Sequence, residues 1–145
     1  MASKSETNLI AKISRQTDKY RTRDNERAIY RQKMNMAIGS PAGTPDLLYE
    51  GSAGDMWIEY KCIPDWKSKR KIPINMLSAN QLNWLTRRIS NGRPCAVIIG
   101  DDSGNCLILD GQEILKPPDI DNMCLITPVQ VASWIASKTN RINLP

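Results

Sequence analysis

Apolar and polar positions along this chain follow two rhythms, one helical and one alternating, broken by Gly/Pro-rich stretches. Leu9, Ile10 and Ile13 share a helical face behind Ser5-Glu6-Thr7-Asn8. That spacing predicts a first helix from about Glu6 to Arg15, with Ser5 as N-cap and Glu6 in the first turn. Residues from Gln16 to Arg27 are polar and basic with no clear period, either loop or second helix. Tyr30 to Met36 alternates and reads as a strand, with Tyr30, Met34 and Met36 on one side. Gly39 to Pro45 is a loop by composition. Leu47-Leu48-Tyr49 and Met56 to Lys61 are then two strands joined across Gly51 to Gly54, a predicted hairpin.

The second half is punctuated more clearly. Ser78-Ala79-Asn80-Gln81 has the capping-box spacing, Ser at N-cap and Gln three residues on. The helix it opens carries Leu82, Trp84, Leu85 and Ile89 and ends at Asn91-Gly92. Pro94 to Gly100 is a continuous apolar run, as expected of a central strand buried on both faces. Asp101 to Gly104 is a turn, Cys106 to Leu109 a further strand, and Lys116 to Asp119 a linker. Thr127-Pro128 opens a last helix running to about Lys138, with Pro at the first helical position. Met1 to Lys4 and Thr139 to Pro145 are expected to be loose. The order is α, β, β, β, α, β, β and a terminal helix, an α/β arrangement with helices on the faces of a mixed sheet.

Composition narrows the function. The 145 residues suit one domain spanning 1–145, large enough for a real core. Net charge is +5 and the pI about 9.1, which favours a polyanionic partner, nucleic acid before membrane. Four cysteines lack C-x-x-C spacing and read as free thiols of a reducing, cytoplasmic environment. No apolar run approaches membrane-spanning length. The chain has no histidine. Ser-His-Asp and Cys-His catalysis, His-ligated zinc and histidine general bases are therefore excluded. Hydrolysis is left to carboxylate, lysine and metal.

Those groups gather in the hairpin. Alternation puts Glu59 and Lys61 on one face and Tyr60 on the other. With Asp46 on the neighbouring strand, two carboxylates and an ammonium meet. Such a pair suits Mg²⁺ or Mn²⁺, which take oxygen ligands and are bound through one or two carboxylates plus phosphate. Asp46, Glu59 and the Tyr60 carbonyl are the expected metal ligands. Lys61 is placed to orient or deprotonate a water, and the set suits phosphodiester hydrolysis. The alternative is an ordinary hairpin in which Asp46 caps a turn and Glu59 pairs with Lys61 at the surface. Arg31, Lys33, Ser40, Lys67, Lys69, Arg70 and Lys71 flank the hairpin and are candidate phosphate contacts. Trp66, in the same basic loop, either stacks on an unpaired base or packs on the domain edge.

Pro45-Asp46 followed by Glu59-Tyr60-Lys61 resembles the PD-(D/E)xK nuclease signature. Gly43-Thr44-Pro45-Asp46-Leu47-Leu48 with Ile58-Glu59-Tyr60-Lys61 is most similar to the VRR-NUC branch, and the chain is similar in size to phage and bacterial Holliday-junction resolvases. The resemblance covers roughly Glu6 to Gly100. It implies a restriction-endonuclease-like αβββαβ core and a metal-dependent endodeoxyribonuclease, with branched DNA as substrate and a homodimer for paired cuts. It also implies a first-helix glutamate at the site: Glu6, with Glu26 as second candidate, or else Glu6 serves only the helix dipole. It gives Gln81 a supporting place there beside its capping role. The spacer between Asp46 and Glu59 is long for the family, so Glu50 or Asp55 could take a ligand position. A second enzyme reading is a nuclease acting on linear or nicked duplex DNA, and the rival of another class is a non-catalytic nucleic-acid-binding module on the same fold.

Overall fold

The computed structural model describes residues 3–34, 42–64, 72, 75–119, 121 and 123–141. Helix α1 (Lys4–Thr17) starts before the expected position. Its N-cap is Ser3 rather than Ser5. Ser3 and Glu6 close a capping box: the Glu6 N–H donates to Ser3 Oγ at 3.2 Å and the Ser3 N–H to Glu6 Oε1 at 3.1 Å. Two satisfied amides favour Ser3 over Ser5, which has no glutamate or glutamine three residues on. The basic stretch after α1 forms no second helix. It doubles back through a bridge between Arg21 and Arg27, with Asn25 in the left-handed region at φ 61°.

Strand β1 (Tyr30–Lys33) is shorter than the alternation suggested, and it is exposed throughout. Tyr30 is 59% exposed. Strands β2 (Leu47–Gly51) and β3 (Gly54–Cys62) form the expected hairpin, with the turn tightened to Ser52-Ala53. Helix α2 (Ala79–Ser90) has the predicted Ser78 cap, and Asn91 and Gly92 (φ 67°) end it. Strand β4 (Cys95–Gly100) is buried at every position. Strand β5 (Cys106–Asp110) follows a turn in which Asp101 accepts from the backbone of Ser103 and Asn105. A single turn, α3 (Gln112–Leu115), was too short to give a period, and α4 (Pro128–Thr139) closes the order.

Among the described residues the strands make one five-stranded sheet, ordered β1-β2-β3-β4-β5. All neighbours are antiparallel except β3 and β4, which the α2 crossover makes parallel. One face is covered by α1 and α4, packing Leu9, Ile13, Val131 and Ile135 on Tyr49, Ile58, Tyr60 and Ile98. The other carries α2, with Leu85 against Val97, Ile99 and Leu107. Burial on both faces explains the unbroken apolar run of β4. Inside the first layer, Ser14 Oγ, Tyr49 Oη and Tyr60 Oη form a hydrogen-bonded chain at 3.2 and 2.6 Å, tying α1 to β2 and β3. Among the described residues no helix is long and apolar enough to cross a membrane.

Two glycines set close approaches. A Cβ on Gly51 would run into the backbone carbonyl of Thr139 at the end of α4, whereas one on Gly100 would meet the tip of the Leu9 side chain at 2.7 Å. The first obstacle is backbone, already bonded to Ala53 N–H at 2.8 Å. The second can rotate away. Gly51→Ala is therefore expected to destabilise by about 1–3 kcal/mol and Gly100→Ala by clearly less. Urea midpoints of the two variants check the order, and equal losses would contradict it.

Candidate active site

The antiparallel register of β2 and β3 pairs Leu47 with Ile58. One step further along that register, Asp46 faces Glu59. Side chains of directly opposed residues share a face, so both carboxylates stand on the α2 side, with Trp57 and Lys61 of β3. Both are buried, Asp46 to 4% and Glu59 to 3% exposure.

Each carboxylate is held by a specific neighbour. Asp46 Oδ2 accepts the Tyr60 N–H at 2.9 Å. Glu59 Oε1 accepts Gln81 Nε2 at 2.8 Å, with Lys61 Nζ 3.6 Å away. Glu59 Oε2 is buried with no hydrogen-bond partner among the described residues. The Gln81 amide works from both ends, because its Oε1 accepts the Ser78 N–H at 2.9 Å and completes the α2 capping box. Glu6 does likewise: Oε1 caps α1, and Oε2 accepts the Cys62 N–H at 3.3 Å. Tyr60 and Cys62 thus offer successive amides along the β3 edge that β2 leaves uncovered, one to Asp46 and one to Glu6. Strand geometry sends the Tyr60 carbonyl to that same edge.

Electrostatics follow from this crowding. Burial, then the negative charge of Asp46, push the Glu59 carboxyl up to about 8, with Lys61 opposing and Glu6 adding to the rise. Among the described residues no three acidic or thiol side chains converge closely enough to hold a metal unaided. What the site presents is a carboxylate pair beside a strand edge, with an ammonium at hand.

The loop leading into Asp46 is seated on α2. Gly43 has φ 85°, and a Cβ there would collide with the backbone of Asn80. Two requirements, left-handed backbone and zero side-chain volume, both call for glycine.

Other expected residues fall elsewhere. Arg31 is engaged within the chain: its Nε and Nη2 donate to both oxygens of Asp18 at 3.2 and 3.0 Å, and Arg27 reaches Asp18 Oδ1 at 3.7 Å. Lys33 is exposed on β1, at the end adjoining Asp46. Glu26 lies in the exposed turn after Thr22, and Glu50 is exposed on β2. Asp55 is paired with Arg88 at 3.7 Å, away from the carboxylate pair. Ser40, Lys67, Lys69, Arg70, Lys71 and Trp66 lie outside the described residues.

A contact ladder joins β3 and α2, and beyond the Gln81 rung it went unread in the sequence. Glu59 meets Gln81, Trp57 meets Trp84 with ring centroids 4.9 Å apart, and Asp55 meets Arg88. Arg88 also lies over both indoles at 5.3 and 5.5 Å. The signal was present as alternate residues 55, 57, 59 on the strand and helical steps 81, 84, 88 on the helix.

No family model and no curated protein matches the chain. Among solved structures, one from Archaeoglobus fulgidus described as Hjc, a Holliday junction resolvase from an archaeal hyperthermophile, is similar over 88% of this chain and 96% of that one. The TM-score is 0.51 at 16% sequence identity. The two chains share a fold. That fold is the restriction-endonuclease-like α/β class expected from the sequence, with a mixed sheet between helices.

The raised Glu59 carboxyl makes a prediction for the metal-free protein. A carboxyl that binds its proton more tightly folded than unfolded favours the fold at low pH, and that advantage is lost as pH rises through the folded value. Stability should fall between about pH 4.5 and about pH 8, by on the order of a few kcal/mol, and level off above. Glu59→Gln should flatten that part of the profile. Denaturant melts across pH in EDTA measure it; an unchanged slope in the variant would refute the assignment.

Proposed function

We propose that this chain is a metal-dependent endonuclease that hydrolyses DNA phosphodiester bonds, with branched DNA such as a four-way junction as preferred substrate. The observation that carries the reading is the buried pairing of Asp46 with Glu59, flanked by Lys61 and Gln81, on a fold shared with a Holliday junction resolvase. A purely structural role fits poorly, since like charges opposed across a ladder are destabilising and buried acids lose solvation.

The donor set fits a hard divalent cation. Glu59 Oε2 is buried without a partner among the described residues, its carboxyl is held protonated up to about 8, and the chain has no histidine to compete as ligand. Asp46, Glu59 and the Tyr60 carbonyl would hold Mg²⁺ or Mn²⁺, whose remaining ligands are ordinarily water and phosphate. Bound there, the cation would supply charge neutralisation and Lewis acidity toward the phosphodiester. Lys61 would orient or deprotonate the attacking water and stabilise charge on the phosphoryl oxygens. Gln81 would fix Glu59 through Oε1, leaving Oε2 for the ion. Glu6, anchored to the Cys62 amide, would stand beside the β3 edge as an outer carboxylate.

Two coordinated cuts at a junction need two sites, so we read the chain as one domain working as a homodimer. The finer VRR-NUC and phage-type placement rests on the motif around Asp46 and Glu59. Cytoplasmic DNA accords with four free thiols and a net charge of +5.

Incubating linear, forked and four-way DNA with Mg²⁺, Mn²⁺ or EDTA tests the reading. Metal-dependent cutting that favours four-way DNA is expected. Lys61→Ala should reduce cutting at least about 100-fold while binding stays within about 2-fold. Binding without cutting under every condition would make the protein a binding module. Equal cutting of linear duplex would remove the junction preference.

A further inference from the structure

The positive charge of this chain is segregated. From Trp66 to Gly100 there is no aspartate or glutamate, against seven lysines and arginines. From Asp101 onward six acids face three bases, a net of −3. The acid-free stretch contains all of α2, whose first turn delivers Gln81 to Glu59.

The ladder fixes which way α2 is turned. With Gln81, Trp84, Leu85 and Arg88 facing β3 and β4, the opposite side of the helix carries Asn80, Asn83, Arg87 and Ser90, all exposed. Helical steps of three and four residues align them in one stripe of amide, hydroxyl and guanidinium donors with no acid among them. Adjacent arginines therefore do different things. Arg88 is drawn inward onto two indoles and Asp55, while Arg87 stands in solvent.

The competing basic region, Lys19 to Lys33, is compensated in part: its six lysines and arginines lie among three acids, Asp18, Asp24 and Glu26. Asp18 holds Arg27 and Arg31, and Asp24 and Glu26 are interleaved and exposed. What distinguishes α2 is that its outward donors have no acid interleaved among them and lie on the helix that carries Gln81 to Glu59.

We propose that the outward stripe of α2 is the track for the nucleic-acid backbone, with Arg87 a direct phosphate contact and Asn83 beside it. The inference rests on the nuclease reading and adds the route by which the strand leaves the site. Arg87 lies six residues beyond Gln81, roughly 9 Å along the helix. At about 3.4 Å rise per nucleotide, that is some two to three nucleotides from the phosphate at the site. Such contacts set position and affinity, not sequence preference.

The test is fluorescence anisotropy of labelled four-way and linear duplex DNA in EDTA, titrated from about 50 to about 200 mM KCl. Arg87→Ala should make the slope of log K against log salt shallower by about 0.9 and weaken both DNAs alike. Asn83→Glu, which sets an acid in the stripe, should weaken binding more than Arg87→Ala. Arg23→Ala, beside Asp24 and Glu26, should leave slope and affinity unchanged. An unchanged near-ultraviolet signal from the Trp57–Trp84 pair shows α2 still docked. If wild-type protein binds and cuts DNA while Arg87→Ala and Asn83→Glu are silent, or if Arg23→Ala costs as much, the track is wrong and the nuclease reading stands. If wild-type protein binds no DNA, both fall.

Discussion

Two carboxylates are buried opposite one another where a β ladder has just run out of rungs. Asp46 and Glu59 occupy the position that the pairing of Leu47 with Ile58 dictates, and like charges there repel. The Tyr60 amide goes to Asp46, the Gln81 amide to Glu59, and the Lys61 ammonium stands by. The relief is incomplete, since Glu59 Oε2 stays unpartnered among the described residues and its carboxyl keeps its proton up to about pH 8. A fold tolerates such a local conflict where the arrangement serves something other than stability. The elements around the pair are disposed to hold it: Gly43 seats its loop on α2, α2 supplies Gln81, and α1 brings Glu6 to the next amide of the β3 edge.

Much of this was legible because it depends on local rules. The hairpin declared itself by alternation around a small-residue turn, α2 by Ser78 and Gln81 at capping distance, and β4 by an apolar run that only a twice-covered strand carries. The placement of Asp46 beside Glu59 needed only the period of a strand and a short turn. Where the reading failed, the deciding partner was distant or a closer local partner was overlooked. Ser3 lost to Ser5 although it alone has a glutamate three residues on. Tyr30 lies on a strand whose alternation implies faces but not burial, and an edge strand can expose both. The ion pair of Arg31 with Asp18, thirteen residues earlier, was likewise not read from the sequence. No periodicity within α2 or β3 alone could announce that Trp57 and Trp84 meet, because the contact exists only after the crossover brings the helix back over the sheet.

The α2–β3 ladder also explains how a helix with one fully buried side chain is kept in register. Leu85 alone is completely covered. The remaining hold comes from the indole pair, from Arg88 against both rings, and from the amide of Gln81. Exposed cation–π contacts contribute about 0.5–1 kcal/mol and more when desolvated. Arg88 is largely withdrawn from water, and burial lowers its pKa. Among the described residues its Nε and the Trp57 Nε1 are buried without partners, a cost accepted to keep the helix at one rotation.

That rotation matters beyond packing. Residues 87 and 88 are both arginine, and composition cannot tell them apart. A step of 100° around the helix separates the one that locks α2 against β3 from the one left to solvent. The first fixes where Gln81 meets Glu59; the second sets the charge of the surface beside that meeting point. A helix rotated by one residue would exchange them, burying a guanidinium without its aromatic partners and removing the amide from Glu59. Site geometry and outer electrostatics are therefore one constraint, held by the same three rungs.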